Sequence, residues 1–246
     1  MPFPASLRPA TFLAAILAVA AALSASAADR HPDLKRLSPT EEVWVDPKAR
    51  EVVIGGRIVM DKGPIEFFAC PQQTKEHESI VATRASARLV HAALLAIDLE
   101  PGTPVSFDPE YAAATGPRVL VRMRWKNADG KPQEADARSW IRDTRTGKEM
   151  QHNWVFAGSA FWTDPADGKE YYQADGGDLI CVSNFPTAML DLPVESSQSN
   201  NALLFEAFEG RVPPRDTDVE IVRSEEHTAE LQSHSDLVCR LLLEKK

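Results

Sequence analysis

The chain has 246 residues, with 27 Lys and Arg against 36 Asp and Glu, a net charge of −9, and 43 % hydrophobic residues. That apolar content supports a packed core, and an acidic balance with interspersed signs disfavours nucleic acid and anionic lipid surfaces as partners. Three cysteines are too few for an ordinary iron–sulfur cluster, which wants about four thiolates.

At the N-terminus, Arg8 precedes the apolar run Thr11 to Leu23 and the small residues Ala25-Ser26-Ala27. A positive start, a short apolar core and an A-x-A-like site predict a signal peptide over residues 1–27, cleaved after Ala27. No other segment is apolar enough to cross a bilayer as a helix, so the expected location is the periplasm or the exterior. Residues 28–40, rich in charge and ending Ser38-Pro39-Thr40, read as a flexible leader to a single domain over 41–222.

Within that domain the predicted elements begin with a strand at Val43-Trp44-Val45. A second follows over Glu51 to Met60, broken by a glycine bulge at Gly55-Gly56, and a third over Ile65 to Ala69 delivers Cys70. Glu66 falls on the solvent face of that third strand. Pro71 to Lys75 is a loop and Glu78 to Thr83 another strand. Ser86 caps a helix over Ala87 to Ile97, with Val90, Leu94 and Ile97 at helical spacing, and Pro101-Gly102 closes the segment. Arg118 to Lys126 alternates Val119, Val121, Met123 and Trp125 against Arg118, Leu120, Arg122 and Arg124, the period of a half-buried strand. Asn127 to Gly130 turns it, and Pro132 to Trp140 returns as its hairpin partner. One strand runs from Trp154 through Phe156 to Trp162 with Gly158-Ser159 in its middle; Leu179 to Ser183, Leu203 to Phe208 and Val219 to Val222 complete the set. The expected fold class is α+β, a mostly antiparallel sheet with one main helix at about 86–97.

The stretch Glu66 to Thr83 is the densest in reactive side chains, with a Cys, a His and three Glu between two apolar runs. Glu76, His77 and Glu78 sit at a loop-to-strand junction. There a His flanked by carboxylates can work as an acid–base pair or contribute to a divalent-metal site. Neighbours on a strand point to opposite faces, and His31, His91 and His152 have no spacing relation to His77, so a structural loop competes with either use. His91, beside the apolar rows of the helix, reads as a core-edge residue with one hydrogen bond. Gly158-Ser159 lacks the G-x-S-x-G elbow of a serine hydrolase. Ser183, Asn184 and the polar run Ser196 to Asn201 are pocket-lining loops or plain turns. Of the five Trp, most fall on strands and belong to the core. Cys70 and Cys181 are a disulfide candidate in an oxidising compartment, with two buried free thiols as the competing reading.

The motifs Lys75-Glu76-His77-Glu78-Ser79, the helix text around His91 and Leu99-Glu100-Pro101-Gly102 occur in that order. They are followed by Trp154-Val155-Phe156-Ala157-Gly158-Ser159 and Leu179-Ile180-Cys181-Val182-Ser183-Asn184-Phe185. Together they resemble the YdjY-domain family of exported bacterial proteins, over roughly Leu37 to Val222. The resemblance implies no established activity; some members look like neighbours of ferredoxin-type proteins. From Arg223 to Lys246 the text RSEEHTAELQSHSDLVCRLLLEKK is similar to a translated sequencing adapter, so residues 223–246 are expected to lie outside the domain.

The function expected from the sequence is non-enzymatic binding of a small molecule or an envelope protein through the Cys70–Ser79 and Ser183–Phe185 loops. No cofactor is specified. The competing class is a metal-dependent enzyme or redox accessory using His77 with Glu76 or Glu78.

Overall fold

A computed structural model describes residues 30–197 and 203–225, and the compact unit begins at Asp33. The signal peptide assigned to 1–27, part of the Ser196–Asn201 run and the tail beyond residue 225 lie outside the described residues.

Short strands β1 (Lys35–Arg36) and β2 (Val43–Asp46) lead into β3 (Glu51–Ile58), which is continuous through both glycines. Gly55 and Gly56 form no bulge. They permit close approach, because a Cβ at Gly55 would meet the Glu42 side chain and one at Gly56 would lie 2.9 Å from the Ala82 carbonyl oxygen. After β4 (Gly63–Pro64) come the fully buried β5 (Phe67–Pro71) and β6 (Ser79–Thr83). The helix α1 (Ala87–Leu95) starts where expected, with Ser86 Oγ accepting from Leu89 N–H, and turns Ala87, Val90, Ala93 and Leu94 inward.

The strand β7 (Arg118–Lys126) matches its predicted span, and β8 (Pro132–Asp136) returns beside it before a 3₁₀ turn that ends at the buried Trp140. β9 (Ile141–Asp143) follows. The strand expected from Trp154 to Trp162 is two elements, β10 (Trp154–Phe156) and β11 (Phe161–Thr163). Gly158 at φ +95° and Ser159 at φ +57° turn the chain between them, which no strand residue does. β11 pairs with β12 (Glu170–Tyr172) as a separate two-stranded ribbon. The remaining strands are β13 (Ile180–Cys181), β14 (Leu190–Asp191), β15 (Phe205–Ala207) and β16 (Asp218–Glu225).

The α+β assignment is overturned by the way these strands pair. Around the main sheet, β3, β16, β7, β10, β14, β13, β5 and β6 are neighbours in that order, and β6 then pairs with β3 through Gly56 and Thr83. Eight strands thus close on themselves as a β-barrel, antiparallel except for the β5–β6 and β13–β14 pairs. Among the described residues α1 is the one α-helix and an accessory to the barrel, so the described fold is mostly β. Alternation along β3, β7 and β16 sends Val52, Ile54, Val121, Met123, Val219 and Ile221 into one apolar cluster, which Phe68, Trp140, Trp154 and the inner face of α1 complete. Burying a large side chain of this kind contributes about 1.5–3 kcal/mol, which makes this cluster the main stabilising feature of the fold.

Candidate functional site

The predicted loop is a single 3₁₀ turn, Glu76–Glu78, that leads straight into β6. Its three side chains do not converge on one point: His77 meets Glu78, and Glu76 is engaged elsewhere. Glu76 accepts from Gln73 N–H at 2.9 Å and from Arg57 Nη2 at 3.2 Å, which ties the turn to β3. His77 projects into solvent with 74 % of its side chain exposed and touches only Glu78, Nε2 to Oε1 3.1 Å. Glu78, besides this contact, lies against Glu66. Among the described residues no group of three or more His, Cys, Asp or Glu side chains is placed to hold a metal ion.

Ser183 and Asn184 are buried and occupied. Ser183 Oγ lies 2.7 Å from Ser197 Oγ. Asn184 donates through Nδ2 to Asp191 Oδ1 at 3.1 Å and accepts at Oδ1 from Ser196 N–H at 2.7 Å, so this segment works as an internal clasp. Cys70 and Cys181 form no disulfide; both are buried free thiols. Cys181 stands opposite Phe67, three residues along the strand from Cys70. That offset is roughly 10 Å at about 3.3 Å per residue, beyond the ~7 Å Cα limit for a bridge. Burial pushes both thiols up, Cys181 well above the ordinary value, which leaves them protonated and poor nucleophiles.

What the sequence does not reveal is the company that Glu78 and Lys75 keep. Glu66, expected on a solvent face, is only 7 % exposed. Burial first and the neighbouring Glu78 carboxylate second raise its pKa. Beside them Lys75 Nζ reaches Asp178 Oδ1 at 2.7 Å and lies 4.5 Å and 5.1 Å from the ring centres of Phe67 and Phe185, which stack at 5.1 Å. Thr187 donates to the other oxygen of Asp178. The chain's own ammonium fills this aromatic and acidic cradle, so the cluster is closed.

An open space lies elsewhere, on the outer side of β7 and β10. A cleft of about 530 Å³ is lined by Arg118, Gln151, His152, Asn153 and Thr115, with Ala114, Val155, Pro193 and Val194 as its apolar part. Backbone close packing builds it. At Gly116, φ +137°, a Cβ would fall 2.2 Å from the Phe156 carbonyl oxygen, so only glycine lets the 114–118 segment lie on β10. Pro117 O accepts from Phe156 N–H at 3.0 Å, and Arg118 then pairs in register with Val155. Asn153 is oriented by Arg138, whose Nη1 donates to Asn153 Oδ1 at 2.6 Å while its other nitrogens grip Asp136. The cleft lining contains a guanidinium, an imidazole, two amides and a hydroxyl, but no carboxylate. In a chain with 36 acidic residues that is a local inversion of charge. The signal was faint in sequence, because Arg118 and the Gln151–Asn153 run are about thirty residues apart and neither forms a motif.

Two histidines thus separate by role. His152 lines the cleft, whereas His91 is internal: Tyr172 donates to the Gly158 carbonyl at 2.9 Å, which leaves the phenol oxygen to accept from His91 Nδ1 at 2.8 Å. Burial lowers the His91 pKa, so the ring stays neutral and structural, as its place on α1 suggested.

No curated protein and no solved structure matches this chain. A family model described as the YdjY domain matches residues 43–224, which takes in the whole barrel from β2 to the penultimate residue of β16, and the chain therefore belongs to the YdjY-domain family.

Proposed function

We propose that this domain is a non-enzymatic binding module, exported by its N-terminal leader, that holds a small anionic molecule in the cleft beside Arg118 and His152. The observation that carries the reading is the composition of that cleft, which excludes carboxylates in an acidic chain. Its volume, about 530 Å³, falls in the range of small-molecule sites. Arg118 offers the planar fork that suits carboxylate or phosphate. Gln151, Asn153 and Thr115 add neutral donors that would fix orientation, and Val155, Pro193 and Val194 supply an apolar wall. In this reading the Cys70–Ser79 and Ser183–Phe185 loops support the barrel and the cleft carries the ligand.

Thermal-shift titrations with citrate and with inorganic phosphate test this against a neutral sugar. The expected result is a rise in melting temperature with at least one anion, reduced in Arg118→Ala. A shift of equal size in Arg118→Ala, or a response to the sugar alone, would sink the assignment.

A further inference from the structure

The ribbon formed by β11 and β12 stands apart from the barrel sheet and carries three of the five large hydrophobic side chains most exposed on the described residues: Phe161 at 55 %, Trp162 at 48 % and Tyr171 at 44 %. A two-stranded ribbon buries little, and beyond one cross-strand contact its aromatic rings stay turned to water, so such a face marks an interaction surface. Register separates the rings into two faces. Phe161 opposite Tyr172 turns towards the body of the protein, where Tyr172 is buried; Trp162 opposite Tyr171 turns away. The Trp162 and Tyr171 rings lie 5.9 Å apart and 34° from parallel, an open V rather than a flat platform.

Elsewhere several aromatic rings, the buried Trp44 and Phe67 among them, are covered by the chain's own cations. Arg36 lies over Trp44, Lys75 over Phe67 and Phe185, and Arg211 over Phe208, at 3.9–5.5 Å from the ring centres. On the ribbon itself Arg88 of α1 approaches Phe161 at 5.9 Å and is held there by Asp175. Among the described residues Trp162 and Tyr171 alone, of the aromatic pairs on the ribbon, have no such cation. Around them the segment 161–172 carries Asp164, Asp167 and Glu170 against Lys169, and Lys169 is taken up by Asp167 at 2.6 Å. An electron-rich pair of rings in an acidic setting, with the inner ring already paired to a guanidinium, defines the chemistry of what fits.

We propose that the outer face of this ribbon docks a basic, extended segment of a partner protein, with an Arg or Lys side chain seated between Trp162 and Tyr171 and the flanking carboxylates drawing the segment in. The site is distinct from the Arg118 cleft, which selects the opposite charge, so either can stand without the other. A cation on an exposed ring gains about 0.5–1 kcal/mol, and more when the contact is desolvated. Affinity then depends on both rings together with the local negative field.

Isothermal titration of the full chain with hexa-arginine, with a hexameric N-acetylglucosamine oligomer as the uncharged comparison, tests the proposal. Expected is binding of the peptide that weakens about tenfold in the Trp162→Ala/Tyr171→Ala double variant, which keeps every charge. Binding should also weaken as salt rises, less steeply in Asp164→Asn/Glu170→Gln. Trp162, Tyr171 and Glu170 are exposed and Asp164 is half-buried, and circular dichroism would establish that the variants stay folded. Equal peptide affinity in the aromatic double variant would overturn the proposal, because it would show attraction to net charge alone. So would salt-insensitive binding of the oligosaccharide with no binding of the peptide.

Discussion

Asp191 is the residue whose environment is furthest from that of an ordinary aspartate. It is fully buried, Oδ1 accepts from Asn184 Nδ2 and from Leu192 N–H at 2.7 Å, and Oδ2 has no hydrogen-bond partner. Burial pushes its pKa up to about 7, with hydrogen bonds from Asn184 and from the Leu192 and Phe185 backbone pulling only partly against it. A carboxyl whose folded pKa exceeds its unfolded value binds its proton more tightly in the native state. This group therefore costs stability progressively as pH rises from about 4 to about 7, and the cost is constant above that. Glu66, raised by burial and by Glu78, acts in the same direction. The melting temperature is expected to be higher at pH 5 than at pH 8 on account of these two groups, and Asp191→Asn should flatten the profile. An unchanged slope in the variant, measured by calorimetry across that range, would remove Asp191 as its source. None of this was visible in the sequence. Asp191 and Asn184 fall in ordinary polar text, and only the docking of the 177–197 segment against β5 and β10 takes them out of water.

At the level of elements, the spans that sequence periodicity defined most firmly are the ones found. β7 carries nine residues of strict alternation and α1 has a capping serine with apolar rows, and both appear where expected. Elements governed by backbone conformation were misread. Ser159 at positive φ is invisible in an apolar run, and Gly55-Gly56 signals close approach and a bulge equally well. The strand β16 illustrates the opposite case, where alternation holds but the residue conflicts with its place. Val219 and Ile221 face the core, and the same face then receives Arg223, two residues before the end of β16 at Glu225 and the first of the 223–246 segment set apart on sequence grounds. Arg223 lies between Val52 and Val121 in register, is fully buried, and has no partner on Nε or either terminal nitrogen. Burial drives its pKa down to about 9, so it remains charged at neutral pH inside an apolar barrel. An unpaired buried charge is costly, and its removal stabilises. Arg223→Met is expected to gain at least about 1 kcal/mol, or some 2–4 °C in melting temperature for a domain of this size. A loss of stability in that variant would mean that the guanidinium is compensated.

For the whole molecule, closure of the barrel sets the chemistry of the cysteines. Cys70 and Cys181 lie on strands β5 and β13, neighbours in the ring, yet their register keeps them apart and buries both. In a Cys239→Ser background, two thiols are expected to titrate in denatured, unreduced protein and to react slowly in the native state, since burial raises both pKa values. No titratable thiol after denaturation would show a bridge, and with it a different pairing of β5 and β13. The same ring explains why the candidate site moved. The loops rich in His, Glu, Ser and Asn are consumed in holding strands together, whereas the carboxylate-free cleft is assembled from the 114–118 segment, the 151–155 segment and Pro193-Val194, which only the β7–β10–β14 pairing brings side by side.

The sequence by itself determined the strand-rich character, the span of β7, the start of α1, the family and the burial of most tryptophans, because each is written in local periodicity or in residues a few positions apart. Only the tertiary structure decided that the sheet closes, that Ser183 and Asn184 are sealed, that the cysteines stay apart and that Arg118 faces His152 across a cleft. These outcomes depend on which strands become neighbours. The β3–β6 seam joins residues about 25 apart through a glycine whose missing side chain is its only mark, and the β3–β16 pairing joins residues about 165 apart. Pairing free energy is spread over backbone hydrogen bonds that every sequence can make, so the choice of partner rests on the sum of side-chain packing across the barrel and is not encoded at any single position.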